Sequence, residues 1–139
     1  MKKYPEFHDG FLDGVFLDGS AAYIFLSTDR AELFVFEATQ VDSLNIADFR
    51  KGNIIFEVLC HSANELSIEM IEAVKGGFPE VSRSHFAKRA LELALEKNLV
   101  LLEINPSYGA TCLVLASSFS LRRRRVLAAG QFVEQYLKV

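Results

Sequence analysis

Apolar and polar positions along the first sixty residues follow the short alternations of strands. Val15-Phe16-Leu17 and Tyr23-Ile24-Phe25-Leu26 flank Asp18-Gly19, a pair favoured where both residues of a two-residue turn need positive φ. That hairpin sets Phe16 opposite Ala21 and Gly14 opposite Tyr23, so a ring lies over a strand glycine. A second turn at Asp29-Arg30 leads into Glu32 to Glu37. In a two-residue register Phe25 faces Phe34 and Tyr23 faces Phe36, while Leu26 faces Leu33 and Ile24 faces Val35. Both sides of this meander are apolar, so each needs cover. A helix suits one side; the other calls for more sheet or a second protomer.

Residues 39–52 read as a connection, broken at Asp42-Ser43 and Lys51-Gly52. Asn53 to Cys60 is β-branched and predicts a strand, and Leu66, Ile68 and Met70 alternate with Ser67 and Glu69 as in a short further strand. Ile71 to Lys75 suits either its tail or a helical turn, and Gly76-Gly77-Phe78-Pro79 breaks the chain. From Ser84 to Lys97 the period becomes helical. Phe86, Ala90, Leu93, Ala94 and Lys97 share a stripe, Lys88, Arg89, Glu92 and Glu96 lie outward, and Asn98 suits the left-handed end. Leu99 to Ile104 predicts a strand, Asn105 to Gly109 a turn, and Ala110 to Phe119 its partner. From Val126, the residues Ala129, Phe132, Val133, Tyr136 and Leu137 return to helical spacing. The expected fold is a single α+β domain over residues 1–139. An antiparallel meander or curved sheet of about six to seven strands packs with one main helix (84–97) and a C-terminal helix.

Length and composition agree with that expectation. A chain of 139 residues with twelve Phe can bury a core unaided. No apolar run approaches the ~18 residues of a membrane span, and Met1 to Gly10 lacks the apolar stretch of a signal peptide. Cys60 and Cys112, in apolar surroundings without CxxC spacing, read as reduced thiols of a cytoplasmic protein. Charge is uneven along the chain. Residues 9–48 hold eight acids (Asp9, Asp13, Asp18, Asp29, Glu32, Glu37, Asp42, Asp48) against Arg30 alone.

Candidate chemistry is sparse. The aspartates of His8 to Gly19 are spaced four and five apart with Phe and Leu between, whereas a calcium loop needs oxygen ligands at alternate positions. They punctuate turns instead. His61 follows Cys60 directly, so in a strand the two point to opposite faces and share no ion. There is no Gly-x-Ser-x-Gly elbow, no phosphate-binding glycine loop, and no constellation of catalytic residues. No metal or cofactor is expected. Arg122 to Arg125 invite a nucleic-acid reading, but residues 1–120 carry ten bases and seventeen acids, a net of −7 that repels phosphate. These arginines are expected to meet the domain's own carboxylates. His8 and Asp9 make a polar pair at a strand entrance, and Tyr108 stands at a turn, where an aromatic is a useful contact residue. His8, Asp9 and Tyr108 are therefore the candidate binding residues.

Three segments together resemble a set of small uncharacterised bacterial proteins, some of which are similar to immunity proteins of contact-dependent toxin systems. They are Phe7-His8-Asp9-Gly10, Arg50 to Phe56, and Leu101 to Ala110. The resemblance implies a bacterial, cytoplasmic α+β domain and supplies no activity or catalytic residue. The leading expectation is a non-enzymatic protein-interaction module, of the immunity type if its acidic segment meets a basic partner, or a homodimer through the meander's uncovered face. The alternative is a small-molecule binder or minor enzyme, its pocket lying between helix 84–97 and the sheet with His8, Asp9 and Tyr108 as lining. Neither nucleic acid nor membrane is an expected partner.

Overall fold

A computed structural model describes residues 1–77, 80 and 83–125. The helix expected from Val126 onward lies outside the described residues. Among the described residues seven strands form one antiparallel sheet: β1 (Lys2–Lys3), β2 (Phe11–Asp18), β3 (Ala21–Ser27), β4 (Leu33–Ala47), β5 (Asn53–His61), β6 (Val100–Tyr108) and β7 (Thr111–Arg123). Two helices, α1 (Ile68–Lys75) and α2 (Arg83–Glu96), separate β5 from β6. The α+β architecture is the expected one.

The sheet closes on itself. Beyond the order β5-β2-β3-β4-β7-β6, strand β6 pairs back onto β5 from Ile54↔Tyr108 to His61↔Leu101. On its other edge β5 meets β2 only at Phe11↔Ile54 and Leu12↔Asn53, and β1 at Cys60 and Leu59. Between these the 3-10 turn Pro5–Phe7 fills the seam, with the Tyr4 N–H donating to Val58 and the Asp9 N–H to Ile55. Closure consumes strand edges that would otherwise be exposed.

Both hairpins of the meander differ from the simple expectation, for different reasons. The first turn sits on Gly19-Ser20, with Asp18 already paired to Ala21. Gly19 has φ +60° and Ser20 does not have positive φ, the pattern of a type II′ turn, which outcompetes the expected I′ turn on Asp18-Gly19. Phe16 therefore faces Tyr23 rather than Ala21, and the ring opposite Gly14 is Phe25. The second turn holds three residues. The Thr28 N–H donates to the Glu32 carbonyl, Thr28 Oγ1 accepts from the Arg30 and Glu32 N–H groups, and Ala31 takes φ +60°. One added residue slides the register by one, so Phe25 faces Val35, Leu26 faces Phe34 and Ile24 faces Phe36. A slip of one exchanges the faces. Phe34 and Phe36 turn into the barrel, while Tyr23, Phe25 and Val35 cluster on the other face.

Three further expectations are corrected. Residues 39–47 are not a connection: β4 continues to Ala47 through a bulge at Asp42, pairing β7 along its length. Residues 65–70 are not a strand. Ser67 caps α1 by accepting the Met70 N–H at 3.2 Å, and Ile71 and Val74 then fall on its buried side. Strand β6 runs on through Pro106 to Tyr108, leaving Gly109-Ala110 as the turn. Beyond Ile104 it pairs β5 alone, at bulges, where a residue without an N–H costs little.

The barrel interior holds Leu12, Ile24, Leu26, Phe36, Ile55, Leu102, Ile104 and Val114, with Phe7 plugged among them. Phe7 and Tyr4 meet Phe34 and Phe36 edge-on, at 5.3 and 5.1 Å between ring centres. Outside, Leu101, Leu113 and Leu115 pack under α1 and α2. The expected helix is there, ending at Asn98 with φ +55°, but Ala87, Ala90 and Ala94 are its buried positions and Phe86 is 46% exposed. Tyr23, Phe25 and Val35 are buried within the single chain, so that face does not wait for a second protomer. Among the described residues no helix is long and apolar enough to cross a membrane.

Candidate functional site

The three segments that carried the resemblance meet at one end of the barrel, around Asn53. Its side-chain carbonyl accepts from the Arg50 N–H at 2.8 Å and the Ala110 N–H at 3.0 Å. Its amide donates to the carbonyls of Arg50 at 2.6 Å and Leu12 at 3.2 Å. One buried side chain thus ties β2, the loop before β5 and the β6–β7 turn. Gly109, at φ +88°, presses against it, and a Cβ there would overlap Asn53 Oδ1. On the neighbouring edge Gly10 accepts from Ile55 and donates to Phe7, which fixes the Phe7-His8-Asp9-Gly10 turn against β5.

Above this knot lies an exposed aromatic surface. Phe11, Ile54 and Tyr108 are direct cross-strand partners, so their side chains stand in a row on the barrel's outer face. Phe11 is 38% exposed and Tyr108 52%. Phe56, bulged out of the β5–β6 ladder, is 52% exposed. The His8 ring stands edge-on to Phe56 at 5.7 Å, its Nδ1–H donates to the Phe56 carbonyl at 2.8 Å, and its Nε2 lies 3.6 Å from Asp9 Oδ2. That bond fixes the His8 tautomer. Beside it runs a groove of about 220 Å³ lined by Tyr4, Pro5, His8, Phe56 and Leu59.

The candidate binding residues are therefore placed as follows. His8 and Asp9 are adjacent on one edge of β5; Tyr108 stands across Ile54 on the other edge and does not line the groove. None of the three lines a cavity beneath the helix. Such a cavity exists, about 260 Å³ between α2 and the sheet, but its walls are Phe86, Ala90, Leu93, Ala94, Leu99 and Leu115. Phe11 and Phe56 were missed because a strand pattern alone does not say which alternating face stays wet. Phe11 stands two residues after Asp9 in the sequence, whereas Phe56 meets His8 only in the fold.

Elsewhere, several charged groups pair with one another. Arg122 pairs Glu37 at 3.1 Å, Arg123 pairs Glu32, and Arg124 pairs Asp13 at 3.3 Å. Arg122, Arg123 and Arg124 thus meet the domain's own carboxylates, while exposed Arg125 makes no such pair among the described residues. Arg124 also donates to the Phe34 carbonyl and covers the Phe25 ring at 5.1 Å. Burial raises the Asp13 carboxyl despite its bond to Ser27 and the Arg124 charge. His61 is buried with Nε2 3.3 Å from Glu103 and Nδ1 3.8 Å from Glu65. Glu65 also accepts from the Met1 amino group and Ser62, so this cluster is a closed network. No group of three His, Cys, Asp or Glu able to hold a metal occurs among the described residues. Both cysteines are free thiols; burial raises Cys60 and pushes Cys112 up to about 12, far from a reactive thiolate. Compared with known proteins, the chain matches no family model, no curated protein and no solved structure.

Proposed function

We propose that the protein is a non-enzymatic binding module that meets a protein partner through the outer face of β5. The observation that carries this reading is the row Phe11, Ile54, Tyr108 with Phe56 and His8 beside it, an exposed aromatic surface on a rigid barrel wall. A few residues, Trp, Tyr and Arg prominent among them, carry most of the energy at protein interfaces, and a scaffold that fixes them spares the cost of ordering. Closure of the barrel favours the same mode. With β5 paired on both edges, a partner is recognised by side chains rather than by adding a strand.

The immunity-type version, an acidic segment meeting a basic partner, draws on fewer acids than the sequence count suggests. Asp13, Glu32, Glu37 and Asp42 are engaged in ion pairs within the chain. Of that segment's acids Asp9, beside His8, borders the aromatic face, and Glu57 lies on the groove next to Phe56. The partner is thus one with an apolar patch and at most a local basic group.

The test is co-purification from the native host with wild type and with a Phe56→Ala/Tyr108→Ala variant of equal thermal stability. A discrete protein retained by wild type and lost by the variant supports the proposal. Retention indifferent to both substitutions, or no retained partner, rejects it.

A further inference from the structure

The cavity beneath α2 is a separate feature from the aromatic face, and neither depends on the other. Helix α2 turns Ala87, Ala90 and Ala94 toward the barrel, while Leu93 is only half-buried. Alanines bring the helix close yet fill little volume, so about 260 Å³ stays open above Leu99 and Leu115. Its floor is apolar; its polar groups stand at the rim. They are Asp42 from the β4 bulge, Lys75 from the end of α1, and Arg89 and Lys97 from α2 and its C-terminal end.

These rim groups are not equivalent. Lys75 donates to Asp42 at 2.7 Å and to Ser43 at 3.0 Å. Arg89 is met by Glu92 at 3.2 Å and Glu96 at 3.9 Å. Lys97 has no carboxylate within 4.0 Å among the described residues, and its charge acts on Asp42 only at longer range. Lys75 and Arg89 are thus answered by carboxylates, and among the described residues Lys97 is the lining cation left without a close counter-charge.

We propose that this cavity binds a small amphipathic monoanion, an acyl or aryl carboxylate. Its apolar part lies on Ala90, Ala94 and Leu115, and its carboxylate meets Lys97 at the mouth. An apolar pocket with few, placed polar groups is the usual form of a small-ligand site. The charge at the mouth selects the anion over a neutral or cationic molecule with the same tail.

Decanoate, held below its micelle concentration, is the probe, titrated into the full-length chain and followed by amide NMR. Saturable shifts are expected at Ala90, Ala94 and Leu115, with Phe56 and Tyr108 unmoved. Decan-1-ol and the Lys97→Glu variant should each weaken binding by about tenfold, as expected for loss or reversal of one partly exposed charge. Decyltrimethylammonium should give no saturable shift. Ala94→Leu, which fills the cavity, should abolish binding; if that variant fails to fold, the exposed Lys97→Glu change decides. No saturable shift with decanoate, equal affinity for the three probes, or indifference to Lys97→Glu overturns the proposal.

Discussion

Asn53 shows how much structure one polar side chain can hold. It lies in the core at 1% exposure, yet each of its two donors and its carbonyl has a partner. Asn53→Ala strands the Ala110 and Arg50 N–H groups that donated to its carbonyl, and the Leu12 and Arg50 carbonyls that accepted from its amide. Each unsatisfied buried group costs about 1–3 kcal/mol, so the variant should lose roughly 3 kcal/mol or more in denaturant unfolding. Asn53→Asp retains the acceptor and exchanges a donor for a charge beside two carbonyls, and it should not rescue stability. A loss below about 1 kcal/mol for Asn53→Ala would mean that water replaces these bonds without cost. The importance of Asn53 was not readable locally, since its partners stand 3, 41 and 57 positions away.

Strands and helices were readable where the apolar period was long and failed where a polar residue sat inside an element. Strand β3 and helix α2 came through with near-correct bounds. Strand β4 did not, because Asp42-Ser43 imitates a loop while serving as a bulge, and Ser67 imitates a strand's outward face while serving as a cap. Register was lost to turn chemistry: Thr28 stabilises a three-residue loop that places Ala31 in a conformation usually left to Gly or Asn. The β4 bulge has a further consequence, since it delivers Asp42 to Lys75 at the end of α1 and so clips helix to barrel. Burial opposes ionisation of Asp42, but the bonds from Lys75 and Ser43 and the charges of Lys75 and Lys97 outweigh it and hold the carboxyl below its ordinary value. A carboxyl with a depressed folded-state pKa stabilises the fold above its unfolded pKa of about 3.9, and that contribution fades as pH falls through the folded value. Wild type should therefore exceed Asp42→Asn in unfolding free energy at neutral pH. The gap should close in acid, below the ordinary aspartate range. A gap that stays constant with pH would assign the difference to packing or hydrogen bonding instead of charge.

Closure is the property of the whole molecule that no single element foretells. Each strand pattern was compatible with an open curved sheet; the ring requires β5 to accept β6 on one edge while β1, the 3-10 turn and β2 share the other. A seam made from three short pieces is the weakest part of the wall, and Phe7 is what fastens it, with no exposed surface and its ring edge-on to Phe34. Phe7 and Phe56 are both aromatic residues near the β5 seam, but one faces the interior and the other solvent. Phe7→Ala removes a fully buried ring from a closed interior that cannot easily collapse. The expected cost is about 3–5 kcal/mol, enough to unfold much of the population of a marginally stable domain. Phe56→Ala should change stability by no more than about 0.5 kcal/mol, the usual range for a surface position. Equilibrium unfolding of the two variants side by side measures both. If Phe56→Ala destabilises as much as Phe7→Ala, then Phe56 belongs to the architecture of the seam, and the aromatic face of β5 loses its claim to be kept for a partner.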